Sequence, residues 1–303
     1  MIIEKNYNLK NLNTLKIDTV AKNVYFPQTQ DEFVEILKNN KNIKVLGNGS
    51  NVLISSFNPK CDFVVTHNLN EITFENENTI KAQAGAFGAQ LSKLAYEKGL
   101  SGFEFLIGFP STVGGAVYMN ASCHNQYTSD NFFSCVVYDV KNDKKIVLTK
   151  NDMKFDYRKS VLQNEHYIVL NATFMLNKGD KKKIDEIMKR NLEFRKTRQP
   201  SLKLPNAGSI FKNPQGDSAG RLLDLSGVKV FNVNGAKVWE NHANFIINEN
   251  NATSIDILKL MQLMRNVVYD RYKISLEPEI EFVAGDNKEE NKIWADLKTK
   301  KED

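Results

Sequence analysis

Along the first 65 residues, short apolar runs are separated by polar residues and by one stretch whose apolar residues recur with the period of a helix. Mostly apolar runs of three or four residues, typical of short buried strands, occur at 24–26, 43–46, 52–54 and 63–65. Between the first two runs, Thr29 and Glu32 have the spacing of a capping box, and an apolar helical face follows them. The pattern predicts a β-α-β order and therefore a small α/β subdomain.

Beyond residue 63 the pattern changes to paired strand-like runs and longer helical stretches. Strands are predicted at 72–74, 79–82, 135–140, 145–148, 166–176, 237–239, 243–247 and 274–282. Helices are predicted around Leu91 with Gly99 after its end, at 182–198, at 218–226, and after a second capping box that begins at Thr253. Hairpin-paired strands decorated by helices indicate an α+β protein.

Two stretches interrupt this pattern. The helix predicted at 182–198 stops at Gln199-Pro200, and we predict a domain boundary in the residues that follow, 201–205. Residues 286–303 are highly charged, and we expect a frayed tail at this end.

A glycine-rich turn lies between the strands predicted at 43–46 and 52–54. Gly47 and Gly49 can adopt positive φ and let backbone N–H groups converge on an anion. The turn also carries three short polar side chains, those of Asn48, Ser50 and Asn51. Because it joins strand to strand and no Lys-Ser or Lys-Thr pair follows, a Rossmann site and a P-loop are both disfavoured. By itself, the turn is more typical of an ordinary hairpin.

A second glycine-rich stretch, at 108–121, contains a proline, a Gly-Gly pair and two hydroxyl side chains. With this pair of loops the chain resembles the bacterial UDP-N-acetylenolpyruvoylglucosamine reductase family, whose fold uses two such loops around FAD. The resemblance implies noncovalent FAD contacts from Gly47, Asn48, Gly49, Ser50, Asn51, Gly108, Pro110, Ser111, Thr112, Gly114, Gly115, Ala116 and Asn120. The family has Gly where this chain has Ser111, a change that would strain the backbone if the position needs positive φ.

A third motif, at 206–214, places Gly208 directly before Ser209. A glycine there permits an unusual backbone angle that can aim the hydroxyl into a cleft. The Gly-x-Ser-x-Gly pattern of a hydrolase is absent, so a nucleophilic serine is disfavoured. By itself Ser209 is more typical of a turn, whereas the resemblance implies that it is the proton donor.

Arg158 and Glu279 lie in two further motifs. Arg158, in the tetrapeptide that begins at Tyr157, offers a planar fork that binds a carboxylate through two parallel hydrogen bonds. Glu279 shares one face of the strand predicted at 274–282 with Glu277 and Glu281. Each motif by itself is typical of solvated surface charge. The resemblance implies that Arg158 acts at the enolpyruvyl group and that Glu279 is the acidic catalytic partner.

The resemblance extends over nearly the whole chain. The chain is similar to the shorter members of the family, which lack the tyrosine-bearing insertion that other members have in the substrate domain. It implies an FAD-binding fold of the PCMH/vanillyl-alcohol-oxidase type in two subdomains, followed by a C-terminal α/β substrate-binding domain. The implied parts are 1–62, completed by 274–286, then 63–198 and 199–273, with a charged tail at 287–303. NADPH and a UDP-sugar are the implied substrates, and the residues implied to bind the UDP-sugar are Tyr157, Lys212, Asn213 and Arg221.

The composition and charge of the chain disfavour several classes of protein. The 303 residues carry a formal net charge of +5 without a basic stripe interleaved with aromatics, which disfavours nucleic acid as a partner. Three cysteines without CxxC spacing and four scattered histidines disfavour a metal site and fit a reducing compartment. No signal-peptide core and no membrane-length apolar run are visible. We therefore expect a cytoplasmic protein, not inserted in a membrane, that functions as a monomer.

Two other interpretations stay open on the sequence alone. One is another FAD oxidoreductase of the same fold acting on a different small molecule. The other is a catalytically silent flavin- or nucleotide-binding module. An RNA-binding protein is a weaker third alternative.

Overall fold

The computed structural model describes residues 1–301, and helices and strands occur along this whole range. The α-helices are α1 (Gln30–Asn39), α2 (Gly88–Glu97), α3 (Val113–Met119), α4 (Lys181–Arg198), α5 (Ala219–Leu225), α6 (Ser254–Tyr272) and α7 (Lys288–Lys298). The β-strands are β1 (Ile2–Asn8), β2 (Val20–Phe26), β3 (Ile43–Leu46), β4 (Val52–Ile54), β5 (Asp62–Val65), β6 (Ile72–Phe74), β7 (Thr79–Gln83), β8 (Leu100–Ser101), β9 (Ser122–Cys123), β10 (Gln126–Tyr127), β11 (Phe132–Asp139), β12 (Lys144–Thr149), β13 (Tyr167–Met175), β14 (Asn177–Lys178), β15 (Asn206–Ser209), β16 (Asn232–Val233), β17 (Ala236–Val238), β18 (Phe245–Asn248) and β19 (Glu281–Val283). Within the described range, no helix combines the length and the apolar character needed to cross a membrane.

The described residues form two compact units, each assembled from separate stretches of sequence. The first contains Met1–Glu4, Val24–Asn48 and Phe63–Arg195. The second contains Lys5–Asn23, Gly49–Asp62 and the chain from Lys196 onward. The segment 1–62, predicted as one part, is divided between the two units, since several of its apolar side chains lie in the core of the second unit. The functions predicted for the separate parts stay predictions.

The first unit is built on an antiparallel sheet with the strand order β12-β11-β13-β7-β6. The hairpins predicted from the alternating runs are confirmed, since β6 pairs with β7 and β11 with β12. The core on this sheet also takes in α2 and α3, through Leu91 and Val117. Cys135 of β11 lies in this core, and burial raises the pKa of its thiol to about 12.

A second core in the same unit confirms the apolar face predicted for α1. Phe33, Ile36 and Leu37 of this helix are buried against Val64 of β5. The Thr29 side chain caps the helix by accepting a hydrogen bond from the backbone N–H of Glu32. Strand β5 belongs to a four-stranded sheet with the order β1-β2-β5-β3.

The second unit contains an antiparallel sheet, β15-β18-β17-β16, and a parallel pair in which β19 lies beside β4. Helix α6 begins as predicted, because Thr253 and Asp256 make both hydrogen bonds of a capping box. Its apolar side chains form one core with Leu15, Ile17 and Leu53 from the N-terminal stretches, which are all fully buried. These three residues explain why the segment 1–62 is divided between two units.

The prediction of a frayed charged tail at 287–303 is wrong for residues 288–298, which form helix α7. Ile293 and Leu297 of this helix are buried in the core of the second unit. Glu290 is also fully buried, and it accepts hydrogen bonds from the hydroxyls of Ser55 and Ser254. Because this segment has many charged residues and few apolar ones, the helical spacing of its apolar residues is difficult to recognise in the sequence. Residues 302–303 of the predicted tail lie outside the described range.

The strand predicted at 274–282 is also corrected. Only Glu281–Val283 forms a strand, and Pro278 makes an isolated bridge with Phe211. Proline has no backbone N–H, so it cannot donate to a continuous ladder. The segment around Pro278 therefore lies beside the segment around Phe211 without forming one long strand.

We expect Asn287→Ala to lower the free energy of unfolding by about 1 kcal/mol, the usual effect of losing a helix N-cap. The Asn287 side chain accepts hydrogen bonds from the backbone N–H groups of Glu289 at 2.8 Å and Glu290 at 3.2 Å, and alanine removes both. Urea denaturation measures the change, with the exposed Lys288→Ala as the control. Equal stability of the two variants would support a frayed segment instead of a packed helix.

Candidate active site

Ser209 and Glu279 lie on neighbouring extended segments of the second unit. Ser209 ends strand β15, after Gly208, whose φ of 76° is the left-handed conformation predicted from the sequence motif. The backbone N–H of Glu279 donates to the carbonyl of Ile210 at 2.8 Å. The candidate proton donor and the candidate acid are therefore held one residue apart across an antiparallel bridge. Both side chains are partly exposed.

Asn51 connects the first glycine turn to the Glu279 segment. Its side-chain N–H donates to the carbonyl of Glu279 at 3.2 Å, and its carbonyl accepts from the N–H of Glu281 at 2.9 Å. A candidate cofactor-binding turn is therefore hydrogen-bonded to the backbone of the segment that carries a candidate catalytic carboxyl. The sequence could not reveal this connection, because the partners are 228 positions apart.

The same turn is held against the N-terminal stretch at Gly49. Its φ is 61°, its carbonyl accepts from the N–H of Thr14 at 3.1 Å, and a Cβ at this position would lie 2.2 Å from the carbonyl oxygen of Leu12. Ser50 follows it, partly buried. Of the two glycines predicted to allow positive φ in this turn, Gly49 is the one that adopts it.

We expect Gly49→Ala to lower the free energy of unfolding by more than about 1–2 kcal/mol, the cost of the left-handed conformation by itself, because the contact with Leu12 adds to it. Gly115→Ala is the matched control, since its added Cβ would meet nothing closer than Thr112 Oγ1 at 3.7 Å. Chemical denaturation of both variants gives the comparison. Equal losses would contradict the close packing of this turn.

Gly47 and Asn48 are the part of the first glycine turn that belongs to the first unit, and they contact the second glycine stretch. A Cβ on Gly47 would lie 2.3 Å from Thr112 Oγ1, and the Asn48 side-chain N–H donates to the carbonyl of Pro110 at 2.6 Å. Thr112 also caps α3, where its hydroxyl accepts from the N–H of Gly115. The structure thus brings the two predicted loops together.

Helix α3 contains half of the second predicted loop. Gly114 packs on the first unit's sheet, with its added Cβ 3.1 Å from the carbonyl oxygen of Ala84, and Ala116 is buried. Ser111, before the helix, is not among the residues with positive φ, so its departure from the family pattern brings no backbone strain. Gly108 lies against Arg195, whose Cδ would be 3.0 Å from an added Cβ.

Two buried polar atoms at this junction have no hydrogen-bond partner within residues 1–301. They are the hydroxyl of Ser111 and Nε2 of His67. Buried polar groups in folded proteins almost always have a partner, so unpaired ones mark a place where a ligand can bind. Ser111 was predicted as a cofactor contact, whereas His67 was not, because a single histidine after a strand carries no motif.

Arg158 lies at the tip of a tight turn in the first unit. Asp156 and Lys159 pair across the turn through two backbone hydrogen bonds of 3.1 Å, and Arg158 has a φ of 55°. Its guanidinium donates to the Ser122 hydroxyl at 2.6 Å and lies 5.1 Å from the ring centroid of Tyr157. The side chain is therefore held on one side by a hydrogen bond and on the other by an aromatic ring.

Asn120 braces the same turn. Its side-chain N–H donates to the carbonyl of Asp156 at 3.0 Å, its side-chain oxygen accepts from the N–H of Ser129 at 3.0 Å, and only 2% of the residue is exposed. The structure gives Asn120 a positioning role for the turn that carries Arg158. The contact with FAD predicted for it stays a prediction.

The cations predicted to bind the diphosphate of the substrate are paired with carboxylates. Lys212 lies 2.7 Å from Glu277, and Arg221 forms two hydrogen bonds with Asp217. The pairing with Arg221 lowers the pKa of Asp217. Asn213 is engaged as well, since its side-chain oxygen accepts from the first N–H of α5. Their role in binding a UDP-sugar stays a prediction.

The predicted catalytic residues are divided between the two compact units. Ser209, Glu279, Lys212, Asn213 and Arg221 belong to the second unit, whereas Arg158 and Tyr157 belong to the first. The structure therefore pairs the segment of Ser209 with that of Glu279, and a common site of these residues with Arg158 stays a prediction.

Two family models match the chain. Residues 199–283 match the C-terminal domain of UDP-N-acetylenolpyruvoylglucosamine reductase, and residues 21–140 match an FAD binding domain. The reductase of Caldicellulosiruptor saccharolyticus is 40% identical over 286 residues, covering 92% of this chain and 91% of the relative. The reductase of Fusobacterium nucleatum is 34% identical over 283 residues, covering 92% of this chain and 99% of the relative.

A solved structure is also similar over nearly the whole chain. The crystal structure of the reductase (MurB) from Thermus caldophilus has a TM-score of 0.82 at 30% identity, with 94% of this chain and 100% of that chain covered. This similarity confirms the predicted α+β architecture with an FAD-binding fold and a C-terminal domain. Together with the sequence relatives, it shows that the chain belongs to the UDP-N-acetylenolpyruvoylglucosamine reductase family.

Proposed function

We propose that this oxidoreductase reduces the enolpyruvyl group of UDP-N-acetylenolpyruvoylglucosamine to give UDP-N-acetylmuramate, a peptidoglycan precursor, with FAD as cofactor and NADPH as reductant. The observation that carries the proposal is the bridge that holds Ser209 beside Glu279, with Asn51 of the glycine turn bonded to Glu279. A proton donor and an acid fixed to a cofactor-binding turn are the parts that such a reduction needs.

The residues present fit FAD. Gly47 and Thr112 approach so closely that a side chain on Gly47 has no room, which leaves backbone groups exposed for a ligand. The unpaired hydroxyl of Ser111 and the unpaired Nε2 of His67 offer two further polar contacts at the same junction. Residues of both glycine loops would hold the cofactor, which when bound supplies the hydride that it takes from NADPH.

Arg158 would bind the carboxylate of the enolpyruvyl group. Its guanidinium can form two parallel hydrogen bonds to a carboxylate, and Ser122 and Tyr157 already restrict its orientation. When the vinyl C3 of the substrate gains hydride, negative charge develops at C2 and spreads into this carboxylate. A fixed cation stabilises that charge without reorganisation during the reaction.

Ser209 would then deliver a proton to C2 of the substrate. A serine hydroxyl is a weak acid, but the carbon that receives the proton is strongly basic, so position matters more than an adjusted pKa. Gly208 sets the direction of the Ser209 side chain through its left-handed backbone. Glu279, on the paired segment, would orient the substrate and the hydroxyl for this transfer.

The absorption spectrum of the purified protein tests the proposal. We expect a flavin spectrum that NADPH bleaches and that UDP-N-acetylenolpyruvoylglucosamine restores. A protein that binds FAD and is bleached, but is reoxidised only by a different small molecule, would be another oxidoreductase of this fold. A yellow protein that NADPH does not bleach would be a silent flavin-binding module. Either result would overturn the proposal.

A further inference from the structure

The imidazole of His67 lies in the first unit at the junction of the two glycine loops, and the proposed chemistry does not use it. The backbone of Gly47 lies close enough to the ring to raise the pKa of His67. The ring also contacts Phe87, with the two ring centroids 5.9 Å apart. The second nitrogen, Nε2, is shielded from solvent and has no hydrogen-bond partner in the described part of the chain.

The protonation state of the ring follows from these contacts. Burial lowers the pKa of His67 from its usual 6.5, and the backbone of Gly47 acts in the opposite direction, as a carbonyl that accepts from the ring does. Since Nε2 has no partner in the described residues, Nδ1 is the ring nitrogen that faces Gly47, and a carbonyl there favours the proton on Nδ1. In the neutral ring this leaves a lone pair on Nε2, which makes it a hydrogen-bond acceptor without a donor.

Both groups that hold the ring also contact the second glycine loop. Gly47 packs against Thr112 so closely that a Cβ would lie 2.3 Å from its hydroxyl oxygen, and Phe87 forms a bridge with Thr112. The hydroxyl of Ser111, the residue before Thr112, is the other unpaired buried group at this junction. Two unpaired polar atoms beside the same contact point indicate a ligand with several polar groups.

We propose that Nε2 of His67 accepts a hydrogen bond from a hydroxyl or N–H group of bound FAD and thereby contributes to the affinity for the cofactor. FAD carries such donors on its ribityl chain, ribose, adenine and isoalloxazine ring. Nδ1 and Phe87 hold the ring in place before the cofactor arrives, so little side-chain entropy is lost on binding. This inference rests on the proposed function, because it takes FAD as the ligand.

The dissociation constant of FAD tests the inference. Apo-protein is titrated with FAD and binding is followed by the change in flavin fluorescence, for wild type, His67→Phe and His67→Gln. We expect His67→Phe, which keeps a ring beside Phe87 but has no acceptor, to raise Kd by roughly 3- to 10-fold, the effect of one lost hydrogen bond. His67→Gln keeps an acceptor and should lie between. The exposed His166→Phe is the control and should leave Kd unchanged.

The pH dependence of Kd separates a direct contact from a structural role. Imidazolium has no lone pair on Nε2, so Kd of the wild type should rise as the pH is lowered through the pKa of His67, which burial places below the usual 6.5. The groups that face the ring are the carbonyl of Gly47 and the ring of Phe87, neither of which titrates, and no charged side chain in the described range contributes to the shift in the His67 pKa. The rise should therefore be smaller in His67→Phe.

The outcomes distinguish this inference from the proposed function. An unchanged Kd in His67→Phe, or the same pH dependence in wild type and variant, would overturn the role of His67 and leave the flavoenzyme intact. Failure of the wild type to bind FAD would overturn the proposed function itself. Thermal unfolding of each apo-protein shows whether a variant is folded. If His67→Phe is not, the pH profile of His67→Gln against wild type decides.

Discussion

Ser209→Ala is expected to lower kcat for reduction of UDP-N-acetylenolpyruvoylglucosamine by about 10²- to 10⁴-fold, the range by which a positioned proton donor accelerates a reaction. The hydroxyl of Ser209 lies at the end of β15, one residue before the carbonyl that accepts from Glu279. Alanine keeps the backbone and removes only the proton source. The fold and the glycine loops are therefore expected to persist.

The two halves of the reaction are measured separately by the absorbance of the bound flavin. NADPH should bleach the flavin of Ser209→Ala at the wild-type rate, whereas reoxidation by the enolpyruvyl substrate should be slow. Ser201→Ala, an exposed serine upstream of the motif, is the control and should behave as wild type. Normal turnover of Ser209→Ala would show that another group supplies the proton.

Arg158→Ala and Arg158→Gly are both expected to lower kcat/KM by about 10²- to 10³-fold, the usual effect of removing one fixed group that stabilises developing negative charge. They should differ in stability. Because Arg158 has a φ of 55°, glycine fits this backbone without strain, whereas alanine retains it. We expect the free energy of unfolding to be about 1 kcal/mol higher for the glycine variant than for the alanine variant.

Steady-state rates and urea denaturation of the same preparations test both parts. Arg158→Lys should be nearly as impaired in catalysis as Arg158→Ala, because an ammonium group cannot form the two parallel hydrogen bonds. The control is Lys159→Ala, which removes a neighbouring exposed cation and should keep activity. A fully active Arg158→Lys would refute carboxylate binding by the guanidinium fork. Equal stability of the glycine and alanine variants would contradict backbone strain at this turn.

Much of the local structure could be predicted from the sequence, because interactions between residues close together in the chain determine it. The N-cap at Thr29 and the capping box at Thr253 precede helices, and Gly99 and Gly227 follow helices in left-handed conformations. The predicted hairpins also formed, since alternating apolar residues can bury only one face of a strand. The error at α7 arose where charge density obscured Ile293 and the few other apolar residues of a short amphipathic helix.

The candidate site was less predictable, because it depends on distant contacts. The motifs around Ser209, Arg158 and Glu279 were visible in the sequence, whereas the bridge between the Ser209 and Glu279 segments was not predicted. The hydrogen bonds of Asn51 to the Glu279 segment and the unpaired nitrogen of His67 have no counterpart in local sequence pattern. The roles of such groups can be inferred only from the partners that the fold brings close to them.

The interleaving of the second unit has a consequence for synthesis on the ribosome. Leu15, Ile17 and Leu53 emerge early, yet the apolar side chains that cover them come from β15 onward, and Asn248 hydrogen-bonds to the carbonyl of Leu15 across 233 positions. Closing so long a loop is slow, so the second unit is expected to condense only when translation is nearly finished. A fragment starting at residue 196 would lack these early side chains and is expected to aggregate when expressed separately.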